Sequence, residues 1–185
     1  SAFAFEVPRV LRIGLESICK NKTTITLGGD ELLIGTEKNG DFYKDGTISS
    51  KSGFTVNLCS GEYIAIDEEM AQEDASDLAY NLNRLNLKAY ATYLGKDDWT
   101  VYVANSSVSE VEQASRYSAS RERDFVGIRL DASGEALLFP KDANAVFMGT
   151  AKEDTFIISG KSYRGMLTFA INGLAMTAVN IVEPE

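Results

Sequence analysis

Short apolar runs, or apolar residues alternating with polar ones, occupy both ends of the chain. This pattern is found between residues 8 and 58 and again after about residue 132, and it is typical of β-strands. Glycines paired with asparagine, aspartate or glycine separate the runs and favour tight turns. The clearest hairpin signal is Asn172-Gly173, between the arms Ser162–Ile171 and Leu174–Val182. Both ends of the chain are therefore predicted to be β-rich.

Helical spacing occurs in the middle of the chain, where two helices are predicted. In the first, Ala75, Leu78 and Leu82 recur at spacings of three and four residues, which places them on one face. The second begins at Ser107, because Ser107 and Glu110 match the capping-box pattern. Strand-like runs flank both helices: Phe54–Leu58, Leu87–Leu94, Trp99–Val103 and Phe125–Leu130.

The middle region also contains an internal repeat. The run Phe54–Leu58 aligns with Trp99–Val103, and each copy is followed by a helix and then a strand. Two βαβ units of this kind build a ferredoxin-like sandwich, with four antiparallel strands and both helices on one face. The predicted fold is therefore α+β: a discontinuous β-rich domain, residues 1–53 and 132–185, into which a ferredoxin-like domain of residues 54–131 is inserted.

The second face of the predicted four-stranded sheet has no helix to cover it. Strand alternation assigns polar and aromatic side chains to this face: Thr55, Asn57, Tyr90, Thr92, Thr100, Tyr102 and Arg129. Tyrosine rings stack on sugar C–H faces, and hydroxyl and amide groups pair with sugar hydroxyls, so the face fits a neutral carbohydrate or a peptide. Alternatively, the face packs on the β-rich domain, or its tyrosines are ordinary strand formers. Tyr93 and Trp99 belong to the inward set and are expected in the core.

Composition narrows the possible chemistry. The 185 residues include 27 acidic and 18 basic side chains and no histidine, for a net charge of −9. Without histidine, the Ser-His-Asp triad, imidazole bases and His-containing metal sites are excluded. The acidic balance argues against nucleic acids and anionic membrane surfaces as partners. No apolar run approaches the ~18 residues needed to span a bilayer. We predict no metal and no cofactor.

No catalytic residue is assigned from the residue pattern. The acidic cluster between residues 67 and 77 lacks the glycine and the spacing of a calcium loop, and favours a solvated first helical turn. Cys19 and Cys59 either form one disulfide or remain separate, inert thiols. The small-x-small pattern at Ala2-Phe3-Ala4 fits a signal-peptidase site and hence export, or else belongs to an apolar arm packed on the core.

The C-terminal hairpin resembles the SpoIID/LytB family, the stage II sporulation proteins D and amidase enhancers. That family has Tyr-Arg-Gly before a hairpin and Val-Asn with an acidic segment after it. The matching residues in this sequence are Tyr163, Arg164, Gly165 and Asn180. The segment Arg9–Leu15 also resembles the first strand of that family, and the resemblance covers roughly residues 8–50 and 132–185.

The middle region is similar to SPOR domains, ferredoxin-like modules that bind peptidoglycan glycan strands lacking peptide stems. The similarity lies in the two strand copies and in the helix between Ala75 and Leu85, while Ala104-Asn105 stands where SPOR domains have Gly-Pro. SPOR domains bind through the open sheet face. The resemblance and the strand alternation therefore indicate the same surface.

Together the two resemblances imply a function in the cell wall. The resemblance to SpoIID proteins implies lytic cleavage of denuded glycan, with a glutamate as the acid/base. A single carboxylic acid can protonate a glycosidic oxygen without an imidazole, so this chemistry is compatible with a chain that has no histidine. That glutamate lies beyond a segment whose first acid aligns with Glu185, so we expect no activity from this chain alone. We expect an extracellular or cell-wall-associated protein that binds peptidoglycan glycan strands during remodelling such as sporulation. The alternative is a module that stimulates or scaffolds a cell-wall amidase.

Overall fold

The structure, a computed structural model, describes residues 9–15, 23–152 and 154–184. Strands account for 60% of the described residues and helices for 14%, which confirms the β-rich prediction. The candidate processing site at residues 2–4 and Cys19 lie outside the described residues, so export and the disulfide stay predictions. In the part that the structure describes, neither helix is both long and apolar enough to cross a membrane.

The described residues form fourteen strands, two α-helices and one 3₁₀ helix. In the first half the strands are β1 (Leu11–Gly14), β2 (Thr24–Gly28), β3 (Glu31–Lys38), β4 (Asp41–Ser49), β5 (Phe54–Ile66), β6 (Lys88–Gly95) and β7 (Asp98–Ala104). In the second half they are β8 (Ala119–Asp131), β9 (Ala136–Pro140), β10 (Val146–Gly149), β11 (Thr155–Ile158), β12 (Lys161–Arg164), β13 (Met166–Asn172) and β14 (Ala175–Val182). The helices are α1 (Gln72–Arg84), α2 (Val108–Ser115) and the 3₁₀ helix Lys141–Ala143.

The first of two sheets has six antiparallel strands in the order β1-β14-β13-β10-β3-β4. This sheet is strongly curled: its two edges approach each other, so that residues at β1 contact the β3–β4 hairpin at the opposite edge. Arg9 Nη2 lies 2.7 Å from Asp41 Oδ1, and Arg12 Nη2 lies 3.6 Å from Glu37 Oε1. The curl buries Val146, Met166 and Ile181 on the concave face.

The second sheet closes on itself into a five-stranded barrel. Around the barrel the order is β5-β7-β6-β9-β8, and β8 pairs again with β5; β2, β11 and β12 extend the sheet outward from β5. The helices pack on the outside, where α1 buries Ala75, Ala79 and Leu82 against β6 and β7. The predicted capping box is confirmed, since Ser107 and Glu110 each bond the backbone N–H of the other.

The predicted insertion does not form an open sheet of its own. β9 lies outside the predicted insertion, yet it pairs with both β6 and β8 and so completes the barrel. A single hydrophobic core also includes residues from both predicted domains, among them Ile25, Val101 and Phe147. Strand alternation shows that a sheet has two faces, but it does not show whether another strand closes the edges.

One polar side chain on α1 replaces a missing strand neighbour. Ala89 pairs with Val103 of β7 on one side, but β9 pairs with β6 only at Ala91 and Thr92, which leaves Ala89 without a strand partner on its other side. The side chain of Asn83 fills this position: its Nδ2 donates to Ala89 O at 2.9 Å, and Ala89 N donates to its Oδ1 at 2.8 Å. Asn83 therefore satisfies both polar backbone groups of a buried residue.

We expect Asn83→Ala to lower the free energy of unfolding by about 1–3 kcal/mol, because it leaves the buried N–H and C=O of Ala89 without partners. The matched control is Asn81→Ala, the same change on the same helix at an exposed position. Urea denaturation followed by circular dichroism measures both variants. Equal stabilities of the two variants would contradict the role assigned to Asn83.

Candidate functional site

The residues predicted to form an open binding face lie together, but on the inner face of the barrel. Thr92, Thr100 and Tyr102 are only 0%, 3% and 8% exposed, so they do not form part of an accessible surface. The prediction of an open platform is wrong for these three residues, because β9 covers that face. Thr55, Asn57, Tyr90 and Arg129 remain partly exposed at the end of the barrel.

The three buried residues have structural partners. Thr100 Oγ1 donates to Ile66 O at 2.8 Å, and Thr92 Oγ1 donates to Tyr90 O at 3.0 Å. The ring of Tyr102 lies 6.0 Å from the rings of both Tyr63 and Phe125, measured between centroids. These contacts fill the interior of the barrel. The expected core positions of Tyr93 and Trp99 are confirmed, since both are fully buried.

The partly exposed residues form what we call the rim cluster: Asn57, Cys59, Tyr63, Tyr90, Arg129 and Asp131. It lies where β5 leaves the barrel wall, because β5 pairs with β7 only at Tyr63–Ala65 and its first residues pair with β2 instead. Three strands supply the cluster, since β5 and β8 supply most of it and β6 supplies Tyr90. Thr24 of the neighbouring strand β2 donates a hydrogen bond to Asn57.

A chain of hydrogen bonds fixes the polar half of the rim cluster. Arg129 donates through Nε and Nη2 to the two carboxylate oxygens of Asp131, at 2.7 and 2.9 Å. Asn57 Nδ2 donates to Asp131 Oδ2 at 2.9 Å, and Thr24 Oγ1 donates to Asn57 Oδ1 at 3.1 Å. The Arg129 and Asp131 side chains are each 33% exposed. A guanidinium has five N–H donors, so donors beyond the two used on Asp131 can bind a ligand.

Three members of the rim cluster were not predicted from the sequence. Cys59 and Tyr63 follow the predicted strand Phe54–Leu58, whereas β5 continues to Ile66. The apolar run Tyr63-Ile64-Ala65-Ile66 is the signal that indicates this longer strand. Asp131 directly follows the predicted strand Phe125–Leu130, and the structure shows its pairing with Arg129.

The rim cluster is electrically balanced. Hydrogen bonding to Asp131 raises the pKa of Arg129, which therefore stays charged beside its carboxylate. Burial is the main cause that raises the pKa of the Cys59 thiol and raises the pKa of Tyr63 to about 12. At neutral pH the cluster thus presents one internally neutralised ion pair, a neutral Cys59 thiol and a neutral Tyr63 phenol. This chemistry suits an uncharged polar ligand better than an ion.

Within the described ranges, no group of three or more His, Cys, Asp or Glu side chains is arranged to hold a metal ion. The acidic residues near the start of α1 are exposed at Asp67, Glu68 and Glu69. One of them, Asp67, accepts a hydrogen bond from Ser120 Oγ at 2.7 Å.

We expect the free energy of unfolding to fall as the pH rises above about 10. An unfolded chain ionises tyrosine near its ordinary pKa of 10.0, whereas folded Tyr63 ionises at about 12, so the folded state binds more protons in between. Between about pH 6 and 8 no histidine titrates, because the chain has none. Denaturation midpoints and tyrosinate absorbance measured against pH check this result. Tyr63→Phe should weaken the alkaline loss, and an unchanged loss in that variant would contradict the assignment.

The family-motif residues meet at the crossover between the two sheets. Gly165 joins β12, in the barrel sheet, to β13, in the curled sheet. Asn180 on β14 is buried, and its Nδ2 donates to Arg164 O at 2.8 Å and to Met166 O at 3.0 Å. Tyr163 stacks on Phe156 with ring centroids 5.5 Å apart. The motif thus holds the crossover together, and β11 and β2 separate it from the rim cluster on β5.

Comparison of the whole chain with family models, with curated proteins and with solved structures gives no match.

Proposed function

We propose that this chain is a glycan-binding portion of an exported SpoIID/LytB-like protein that takes part in peptidoglycan remodelling, as in sporulation. The observation that carries the proposal is the rim cluster. It combines Tyr90 with the preorganised array of Arg129, Asp131 and Asn57 at an accessible end of the barrel. Fixed donors and acceptors beside an aromatic ring are what a sugar ring, with hydroxyls at its edge and C–H groups on its faces, requires.

Two further features support the proposal. β8, β5, β7 and β6 are neighbours in that order and all pair antiparallel, with α1 joining β5 to β6 and α2 joining β7 to β8. This is the connectivity of two βαβ units, as a SPOR-like module requires. Gly165 and Asn180, distant in sequence, also act together at the crossover, which gives the resemblance to SpoIID proteins a physical basis.

A sedimentation assay with insoluble peptidoglycan tests the proposal. Material treated with an amidase to remove peptide stems should retain more of the chain than untreated material, because the neutral rim cluster matches bare sugar better than charged stems. Raising the salt concentration should change retention little, since the contacts are not ionic. Equal retention by the two materials would contradict glycan recognition at this site.

A protein-interaction module that stimulates or scaffolds a cell-wall amidase is the second candidate. It is favoured by an apolar groove of about 780 Å³ at the open side of the curled sheet, lined by Leu11, Ile13, Phe42 and Met148 among others. β1 forms as predicted at the edge of the curled sheet, and its Leu11 and Ile13 are exposed. Exposed apolar surface of this kind marks interaction sites. An amidase whose activity rises with this chain while Tyr90→Ala has no effect would favour this candidate.

A further inference from the structure

A second groove lies beside the rim cluster, between α1, β4, the start of β6 and the turn before β9. We call it the α1 groove, and its lining includes Thr47, Ser76, Tyr80, Lys88 and Glu135. Its volume of about 550 Å³ falls within the range of about 300–1,000 Å³ that small-ligand sites have. The side chains combine hydroxyls, one aromatic ring and one charge of each sign.

Tyr80 adds an exposed aromatic ring to this lining. Tyr80 is 64% exposed, although a large aromatic side chain normally buries most of its surface. The guanidinium carbon of Arg84 lies 6.0 Å from the ring centroid, over the ring. This contact covers one side of the ring. The exposed area of Tyr80 is therefore an aromatic surface beside a polar groove.

The α1 groove adjoins the rim cluster, because the two share or border residues of β6 and β9. Tyr90 contributes to both, since it lines the groove and belongs to the cluster. Ala136 also lines the groove, and it is the strand partner of Asp131 in the β8–β9 pair. A ligand at the rim cluster that is longer than one or two rings would therefore extend across Ala136 into the α1 groove.

We propose that the α1 groove is a second saccharide subsite, so that the chain binds an extended glycan across two subsites rather than a single short end. The inference rests on the proposed function, because the rim cluster supplies the first subsite. Tyr80 stacks on a sugar ring, while Lys88, Glu135 and Ser76 bond the hydroxyl and amide groups at its edge. Binding of one ring then raises the effective concentration of the next at the adjoining subsite.

Calorimetric titration with a disaccharide and a hexasaccharide of β-1,4-linked N-acetylglucosamine tests the inference. The wild-type chain should bind the hexasaccharide at least ten-fold more tightly. Tyr80→Ala should weaken hexasaccharide binding about five-fold and leave disaccharide binding unchanged, since aromatic contacts contribute modestly. Tyr117→Ala, which removes an exposed tyrosine outside both subsites, is the matched control and should bind both ligands like the wild type. Thermal unfolding verifies that Tyr80→Ala folds normally.

The possible outcomes separate this inference from the proposed function. Equal wild-type affinities for the two saccharides, or a Tyr80→Ala variant indistinguishable from the wild type, would overturn the second subsite while leaving glycan binding at the rim cluster intact. Absence of binding to either saccharide and to stem-free peptidoglycan would overturn both proposals. A loss of affinity in Tyr117→Ala equal to that in Tyr80→Ala would also overturn the second subsite, because the effect would then not depend on the groove.

Discussion

Gly165→Ala is expected to lower the free energy of unfolding by about 3 kcal/mol or more, which is a large share of the ~5–15 kcal/mol typical of a whole domain. Gly165 has a φ of +91°, a backbone conformation that L-residues with a side chain rarely adopt. A Cβ added there would lie 2.4 Å from the carbonyl oxygen of Ile181 and 3.1 Å from Val182 Cγ1. The backbone strain alone costs about 1–3 kcal/mol, and the clash with a backbone atom adds to it.

The clash at Gly165 has few ways to relax. Ile181 belongs to β14, which pairs with β13 on one side and with β1 on the other, so its carbonyl cannot shift freely. The neighbouring carbonyls of Arg164 and Met166 are held by Asn180. The substitution therefore disturbs the point at which the chain passes from the barrel sheet to the curled sheet.

Chemical denaturation followed by intrinsic fluorescence of Trp99, the single tryptophan, measures the effect of Gly165→Ala. Gly134→Ala is the control, because an added Cβ there meets no atom within 4 Å. The control should stay within about 0.5 kcal/mol of the wild type, as surface substitutions usually do. A Gly165→Ala variant as stable as the Gly134→Ala variant would show that the crossover tolerates a side chain.

The largest expected effect on binding is that of Tyr90→Ala combined with Asn57→Ala, which should reduce affinity for stem-free glycan by at least about ten-fold, or ~1.4 kcal/mol. Tyr90 supplies one of the two tyrosine rings of the rim cluster, and Asn57 bridges Thr24 and Asp131. Removing both side chains reduces the aromatic surface and loosens the polar array. Sedimentation with amidase-treated peptidoglycan measures the loss.

Two control variants test whether the glycan binds at the rim cluster or elsewhere on the barrel. Tyr43→Ala removes an exposed tyrosine on β4, outside the cluster, and should bind like the wild type. Tyr102→Phe keeps a buried ring and removes only its hydroxyl, so glycan binding should not change. If Tyr102→Phe weakens binding as much as the double substitution, the ligand contacts the inner barrel face and the assignment to the rim is wrong.

Much of the fold could be predicted from local pattern. The spacing of Ala75 and Leu82 predicts α1, and the capping box predicts the start of α2, because helices depend on residues close in sequence. Strand alternation places Tyr93 and Trp99 in the core. The turn of the last hairpin lies one residue later than predicted, at Gly173-Leu174, since Asn172 pairs with Ala175 and Gly173 is the turn residue with positive φ.

At the candidate site, the local sequence pattern predicts which side chains share a face but not which of them are exposed to solvent. The sequence alone determines that Thr55, Asn57, Tyr90, Thr92, Thr100, Tyr102 and Arg129 share one face, because side chains along a strand alternate with a period of two. It also determines that the chemistry excludes histidine and favours an uncharged partner. Only the tertiary structure decides which of these residues meet solvent. That depends on β9, a strand from a different part of the chain, and pairing between strands distant in sequence leaves no signal in the alternation of either one.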